Sequence, residues 1–475
     1  MSWKTIRRAL RNKDMRKRLL WVFGMILVFR FLSHIPVPIA EPTQLRQLLS
    51  SLFEQQQLLG FLDLLSGGAL SNFSIMLLGL APYINASIIM QLLTKAVPKL
   101  EAINKEGESG RKKINQYTRM LTLPLAIVQS IGFVFLIKQS ASAISGVDVI
   151  SNASIAQWTL MVACLTGGAM LLMWMGELMS EQGVGNGISL LIFAGIVSQM
   201  PQIITTLLAT VIGSSGSTFE VFGLFNIPLN LSGTLFVLGI VVFTFMLTYW
   251  VVKLNEANRS LTISYAKRVR GNRAYGGVNT SLPIKLITAG VIPIIFAVAF
   301  LSVPFFLGQL MINAESQTLV DLGTKLSSWF NPNGLGAQGG GLGDWTSFIY
   351  PGMYFVLVVM FTYFYTGIMF NAKEIAENLQ KQGGFIAGIR PGLQTEKYLK
   401  KIVNRLTLFG ALALGTLAIL PFIIDAFVIL IFKTPVSQTL TIGGTGLLIT
   451  VSVAIETLRQ IDSRALMITY DSYND

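Results

Sequence analysis

The apolar residues of this chain come in long runs, and two pairs of those runs are interrupted at matching places. Gly79-Leu80-Ala81-Pro82 opens the run 83–93, and Gly290-Val291-Ile292-Pro293 opens the run 294–301. A second pair is Gly185-Asn186-Gly187-Ile188-Ser189-Leu190-Leu191-Ile192 and Gly443-Gly444-Thr445-Gly446-Leu447-Leu448-Ile449. Counted along the chain, these fall on runs two and seven, then five and ten. Each partner sits five runs from its mate. An odd number of membrane crossings per half turns the second half upside down. Breaks at corresponding places in two inverted halves point to a pathway at the interface between the repeats.

The runs are long enough for such a reading. A membrane-crossing helix needs about 20 predominantly apolar residues. Ten stretches qualify: 19–36, 74–94, 119–138, 158–178, 187–209, 234–252, 286–310, 348–370, 404–424 and 439–458. Hydrophobic residues make up 52% of the chain and charged residues only 12%, which excludes a soluble domain of this size. The expected fold is an all-α polytopic membrane protein, with ten transmembrane helices in two inverted pseudo-symmetric halves around a central pore. Residues 1–18 form a basic N-terminus. Residues 19–210 hold spans one to five, 211–458 hold spans six to ten, and 459–475 are a tail. The start resembles a secretory signal, because the basic stretch Lys4–Arg18 precedes the apolar run Leu19–Phe29. No small-x-small cleavage site follows, so it reads as a retained first span.

Lys and Arg set the orientation. They crowd residues 4–18, 95–119, 253–285, 373–405 and Arg459 with Arg464. The opposite loops carry only Arg46, Lys138, Lys325 and Lys433. Both termini are expected in the cytoplasm, with the charge of +13 almost wholly on that face.

Chemistry finds little support. Cys164 is the single cysteine and His34 the single histidine, so neither an internal disulfide nor a metal site is expected. His-Glu-x-x-His, Gly-x-Ser-x-Gly and phosphate-cradling loops are missing from the sequence. Arg30, Glu177 and Asp425 fall near span ends, whereas ion-coupled transporters keep charges near the midplane. An enzyme is not expected, and no cofactor is implied.

Three loops are more specific. Residues 61–73 (Phe61-Leu62-Asp63-Leu64-Leu65-Ser66-Gly67-Gly68-Ala69-Leu70-Ser71-Asn72-Phe73) lie just outside span two. As a helix they would cover about 20 Å, too short to span, and the glycine pair weakens a continuous helix. They read either as an amphipathic external loop or as a re-entrant segment packed into a cavity. The cytoplasmic loops 253–285 and 371–403 are long and basic, with Lys267, Arg268, Arg270 and Arg273 in one and Arg390 in the other. Setting topology needs only a few charges per short loop. The length and the Gly and Pro turns favour docking of a partner, and acidic protein surfaces or RNA phosphates suit the charge.

Several stretches together are highly specific: Ser66-Gly67-Gly68-Ala69-Leu70-Ser71, Pro82-Tyr83-Ile84-Asn85-Ala86-Ser87-Ile88-Ile89, Lys105-Glu106-Gly107-Glu108-Ser109-Gly110-Arg111, Gly185-Asn186-Gly187-Ile188-Ser189, Ala289-Gly290-Val291-Ile292-Pro293 and Gly388-Ile389-Arg390-Pro391-Gly392. On these, the chain resembles the SecY family of bacterial protein-translocase channels, from Arg18 to about Arg464. The resemblance implies a protein-conducting channel of the bacterial plasma membrane. It translocates unfolded secretory chains and releases membrane segments laterally into lipid.

It also implies a division of labour. Leu80, Ile84, Ile188, Ile192, Ile295 and Ile449 would form an apolar pore ring, with Leu80 where isoleucine is common. Such a collar wets poorly and offers a passing peptide no hydrogen bonds. Phe61, Leu64, Leu65, Ser66, Gly67, Gly68, Ala69 and Leu70 would belong to a plug. Spans two and three would part from seven and eight as a lateral gate, where Asn85 and Gln91 offer hydrogen bonds worth about 1 kcal/mol each. Interhelical bonds with no gating role are an equal reading of those two residues. The basic loops would dock a SecA motor ATPase or a ribosome; Asn272 stands where many relatives carry a basic residue. SecE-like and SecG-like membrane subunits, signal sequences and nascent chains complete the implied partners. A small-molecule secondary transporter with an inverted repeat is the alternative from another class.

Overall fold

The computed structural model describes residues 12–37, 63, 66–145, 154–212, 219–221, 225–227, 231–265, 268–270, 273–275, 279–312, 316–330, 348–432 and 439–471. Helices dominate: α1 (Lys13–Leu32), α2 (Ala81–Ala96), α3 (Pro98–Lys105), α4 (Glu108–Ser145), α5 (Ile155–Glu181), α6 (Gly187–Ile212), α7 (Leu231–Glu256), α8 (Ile292–Met311), α9 (Gln317–Trp329), α10 (Ile349–Met369), α11 (Ala372–Lys381), α12 (Leu393–Phe432) and α13 (Thr439–Asp471). Among the described residues, six helical stretches are long and apolar enough to cross a membrane: Glu108–Phe135, Ile155–Glu181, Gly187–Ala209, Gly233–Glu256, Ile349–Lys381 and Leu393–Ile424. Ile292–Phe305 is a shorter apolar helix.

The first pair of breaks is real backbone geometry. Span two, expected over 74–94, becomes turns up to Leu80 and then the helix α2; span seven, expected over 286–310, begins its helix only at Ile292. Gly79 and Gly290 take φ values of 56° and 62°, left-handed conformations that a side chain resists. A proline follows three residues on in each case, Pro82 and Pro293. Proline is tolerated in a first helical turn because its missing N–H would have no helical partner there. The second pair behaves differently. Asn186 starts α6, its Oδ1 accepting from the Ile188 and Ser189 N–H groups at 3.1 and 3.4 Å. Gly443-Gly444-Thr445-Gly446 instead lies inside the continuous helix α13. Glycine lowers helix propensity by about 1 kcal/mol per residue without forbidding the helix, so this expected break is absent.

The chain forms two compact units. One comprises Met1–Thr244, Val298–Tyr350 and Pro421–Asp475; the other comprises Phe245–Ala297 and Pro351–Leu420. In the first unit α2 packs on α4, α4 on α5, α5 on α6, and α6 on α13. Leu70, Phe73, Leu77, Phe133, Val134 and Leu165 meet in its core. Small residues let backbones close up: a Cβ on Gly168 of α5 would collide with the Ile75 carbonyl. Arg119 of α4 and Glu177 of α5 are paired, with Nε donating to Oε1 at 2.9 Å. Arg119 Nη2 lies 2.7 Å from Oε2 as an ion contact rather than a second aligned hydrogen bond.

The second unit contains β structure that the helical reading did not anticipate. Strands β3 (Asn258–Tyr265) and β6 (Asn279–Lys285) pair antiparallel in the loop after α7, with Leu261 opposite Leu282 and Ile263 opposite Thr280. Strand β7 (Gly384–Ile386) joins from the other basic loop, with Ile263 opposite Ile386. Alternation places Leu261 and Ile263 on one face of β3, and both are buried. Leu261, Ile284 and Ile386 cluster with Leu399, Ile402 and Val403 of α12. Two shorter strands, β4 (Arg268–Arg270) and β5 (Arg273–Tyr275), extend the hairpin. A hairpin is also present before α7, between β1 (Phe219–Val221) and β2 (Phe225–Ile227).

Candidate functional site

The short segment before α2 is buried. Ser66, Ala69 and Leu70 are 4%, 0% and 2% exposed. Gly67 and Gly68 take φ of 72° and 83° and Phe73 takes 46°, so the residues from Gly67 on turn repeatedly instead of forming a helix. The folded segment pairs with the chain after α1: the Val37 N–H donates to the Phe73 carbonyl at 2.9 Å, and the Ile75 N–H to the Ile35 carbonyl at 3.1 Å. Ser74 Oγ donates to the Leu32 carbonyl at 2.8 Å. A solvated external loop, one of the two sequence readings, would not bury Leu70 among α4 and α5 residues. Phe61, Leu64 and Leu65 lie outside the described residues.

Polar contacts organise the segment around Asp63. Its Oδ1 accepts from the Ser71 N–H at 2.8 Å. Its carbonyl accepts from Ser66 Oγ at 3.0 Å and from the Gly68 N–H at 2.9 Å. Gln199 of α6 donates through Nε2 to both the Asp63 carbonyl and Oδ2, each at 3.0 Å. Arg30 of α1 donates through Nη1 to the Gly67 carbonyl and to Ser198 Oγ at 3.1 Å. Burial pushes the Asp63 carboxyl above its ordinary range, against the hydrogen bonds from Ser71, Gln199 and Leu70 that hold it down. The sequence reading passed over Asp63, Ser198 and Gln199 and treated Arg30 as a span-end charge. The available signal was a carboxylate inside an apolar segment flanked by an arginine-bearing span.

The expected ring residues stand on or just after helix starts. Leu80 caps α2, with φ of −92° and ψ of 0°, and its carbonyl accepts from the Ile84 N–H at 2.9 Å. Leu80, Ile84, Ile192 and Ile449 are buried. Ile188 is half-buried in the first turn of α6. It packs toward α5, where a Cβ on Gly176 would come within 3.0 Å of its Cγ1. The packing of α6 on α13 puts Ile188 and Ile192 on a helix neighbouring that of Ile449. These five residues belong to the first unit; Ile295, buried in the first turn of α8, belongs to the second.

Asn85 is buried and lines a cavity of about 360 Å³ between α2, α4 and α8, with Ile88, Leu92, Val128, Phe300 and Pro304 among its walls. Gln91 points its hydrogen bonding along its own helix, with Nε2 donating to Ser87 Oγ at 3.0 Å. Its buried Oε1 has no hydrogen-bond partner among the described residues.

Of the basic residues, Lys267 lies outside the described residues. Arg268, Arg270 and Arg273 sit on β4 and β5, with Arg270 opposite Arg273. Arg390 is exposed in a turn between Gly388 and Gly392, whose φ values are 81° and 96°. Thr395 Oγ1 donates to its carbonyl at 3.0 Å and fixes that turn.

Apolar helices of spanning length, glycine-broken helix starts and a short segment buried beside them define a multi-pass α-helical membrane protein of the channel type. The SecY family model matches residues 74–458. Protein translocase subunit SecY of Streptomyces coelicolor is 36% identical over 470 residues, covering 98% of both chains. The Aquifex aeolicus subunit of the same name is 37% identical over 97% of both. This chain belongs to the SecY family. Its fold is also that of a solved protein conducting channel, with a TM-score of 0.60 at 18% identity, covering 94% of this chain and 91% of the other. Sec61 in the canine ribosome-channel complex matches with a TM-score of 0.56 at 17% identity, over 94% and 91% of the two chains.

Proposed function

We propose that this chain is the protein-conducting channel of a bacterial plasma-membrane translocase. It passes unfolded secretory polypeptides through the membrane and releases apolar segments sideways into lipid. The observation that carries this reading is the match to SecY translocase subunits over 98% of both chains.

In this reading residues 61–73 are the plug, and the burial of Ser66, Ala69 and Leu70, with Gly67 close against α1 and α6, supports it. Leu80, Ile84, Ile188, Ile192, Ile295 and Ile449 make the pore ring, supported by their places at the glycine- and proline-marked helix starts and near the glycine run of α13. Branched apolar side chains there oppose wetting while the channel is shut. The apolar cavity beside Asn85 supports a lateral gate bordered by α2, α4 and α8, with Asn85 and Gln91 as its polar members. Arg390, on an exposed turn held by two left-handed glycines, and the basic residues Lys267, Arg268, Arg270 and Arg273 dock a SecA motor or a ribosome. Solved neighbours of the same fold in ribosome complexes support a ribosome as the partner. SecE-like and SecG-like subunits bind in the membrane, and both termini face the cytoplasm.

Photocrosslinkers at Ile84 and Ile192 test the reading, with lipid-facing Leu238 as control. A stalled secretory chain should form adducts from the first two positions only. Equal labelling at all three, or none at the ring, would overturn it.

A further inference from the structure

We propose that Gln199 and Ser198 of α6 and Arg30 of α1 form a polar latch that positions the segment at Asp63 and Gly67 in the closed channel. The inference rests on reading residues 61–73 as the plug.

Three features carry it. First, the donors grip backbone as well as side chain. Gln199 Nε2 reaches the Asp63 carbonyl and Oδ2 together, and Arg30 Nη1 reaches the Gly67 carbonyl. A grip on main chain holds the turn itself and tolerates change in the apolar residues around it. Second, the fit is steric. A Cβ on Gly67 would lie 3.0 Å from the Gly195 Cα and 3.3 Å from Phe29 Cζ. The segment therefore lies flush on α6 and α1, with a glycine on both sides of the closest approach. Third, one group ties the segment to both helices: Ser198 Oγ of α6 accepts at 3.1 Å from the same Arg30 guanidinium nitrogen that holds Gly67.

Each of these groups has a simpler reading. Arg30 near a span end would ordinarily reach for the interface, and Gln199 in a span would ordinarily bond a neighbouring helix. Here both turn to one short segment. Seating that segment buries a carboxylate, which is unfavourable unless hydrogen-bonded. The latch donors offset this cost, so losing them makes the seated state the disfavoured one. The segment can then leave without unfolding either helix, because the donors on α1 and α6 are side chains whose release breaks no helical backbone hydrogen bond.

The test uses the complete translocase with Cys164→Ala and Ser71→Cys as reporter. Alkylation of that cysteine by an impermeant maleimide from the outer face reads seating, and planar-bilayer conductance reads the seal. Gln199→Leu should speed alkylation about tenfold or more, as expected for a lost hydrogen bond to a charged group, and should raise resting conductance. Arg30→Gln should act in the same direction. Adding Asp63→Asn to Gln199→Leu should recover most of the seating, because a neutral amide is cheaper to bury than a carboxylate that has lost its Gln199 donor; simple loss of folding could not be rescued so. Deleting 64–70 separates the two readings. If the deletion leaks while Gln199→Leu and Arg30→Gln behave as the parent, the latch is overturned and the plug stands. If the deletion does not leak either, the plug reading falls and takes the latch with it.

Discussion

At Asp63 a carboxylate sits where water is scarce, and its burial holds it above its ordinary value of 3.8. A carboxyl raised on seating favours the seated state most below that ordinary value, and the contribution is lost as pH rises through the raised one. Resting leak should therefore fall as pH is lowered toward that ordinary value. Asp63→Asn should flatten that dependence, and an unchanged slope in the variant would remove Asp63 as its source. Arg390 poses a different residue-scale question, since it is one of seven Lys or Arg residues between Lys373 and Arg405. Losing one charge of seven should not invert neighbouring spans. A guanidinium pairs with a carboxylate through two parallel hydrogen bonds that lysine cannot reproduce. Arg390→Glu should lower precursor translocation into vesicles tenfold to about a hundredfold, at about 1.5–3 kcal/mol for a charge-assisted contact. Arg390→Lys should fall between. Cysteine-accessibility mapping should find the loops on their original sides, and full activity in Arg390→Glu would end the docking role.

Among elements, the short segment and α2 behave as one design. The turns that end at Gly79 shorten the helix of span two to Ala81–Ala96. The chain length thereby released folds back on α1 and α6. Of the part to be removed, Leu70 packs in the core and the described remainder bonds mainly to neighbouring residues of the same segment and to Arg30. Deleting Leu64–Leu70 should thus leave insertion of the protein intact, while raising resting conductance and letting weaker signal sequences pass. Failure of the deleted protein to insert would make the segment structural. The basic loops are a second case. Their lengths signalled projection, but the pairing of β3 with both β6 and β7 makes one sheet from two loops. Its apolar face on α12 gives the Arg390 turn a stiff base, as Leu261, Ile284 and Ile386 are all buried there.

For the whole molecule, the prediction concerns the seal. Replacing Ile84, Ile188 and Ile449 with glycine removes three branched side chains from three different helices and should raise closed-state ion current in a planar bilayer. Because the segment at Asp63–Gly67 still seats, the rise should grow further when Gln199→Leu is added. An unchanged current in the triple variant would remove the ring assignment.

Membrane solvent explains what could be read directly. A bilayer demands about 20 apolar residues per crossing, so the distribution of apolar residues along the chain carries the spans. Glycine and proline carry local geometry in their covalent structure, which is why the breaks at Gly79 and Gly290 were legible. The glycine run at 443–446 was not, because glycine permits a turn without requiring one, and α13 continues through it. Contacts between distant residues left no such mark. Arg30, Asp63 and Gln199 are far apart in sequence and individually ordinary; only packing of α1 and α6 around one turn makes them partners. The strands after α7 were equally hidden, because β7 that completes their sheet comes from a loop more than a hundred residues later. The sequence by itself determined a broken-span membrane channel of the SecY family. Tertiary structure alone decided how its short segment is held, since hydrogen bonds between remote groups depend on distances that no local pattern encodes.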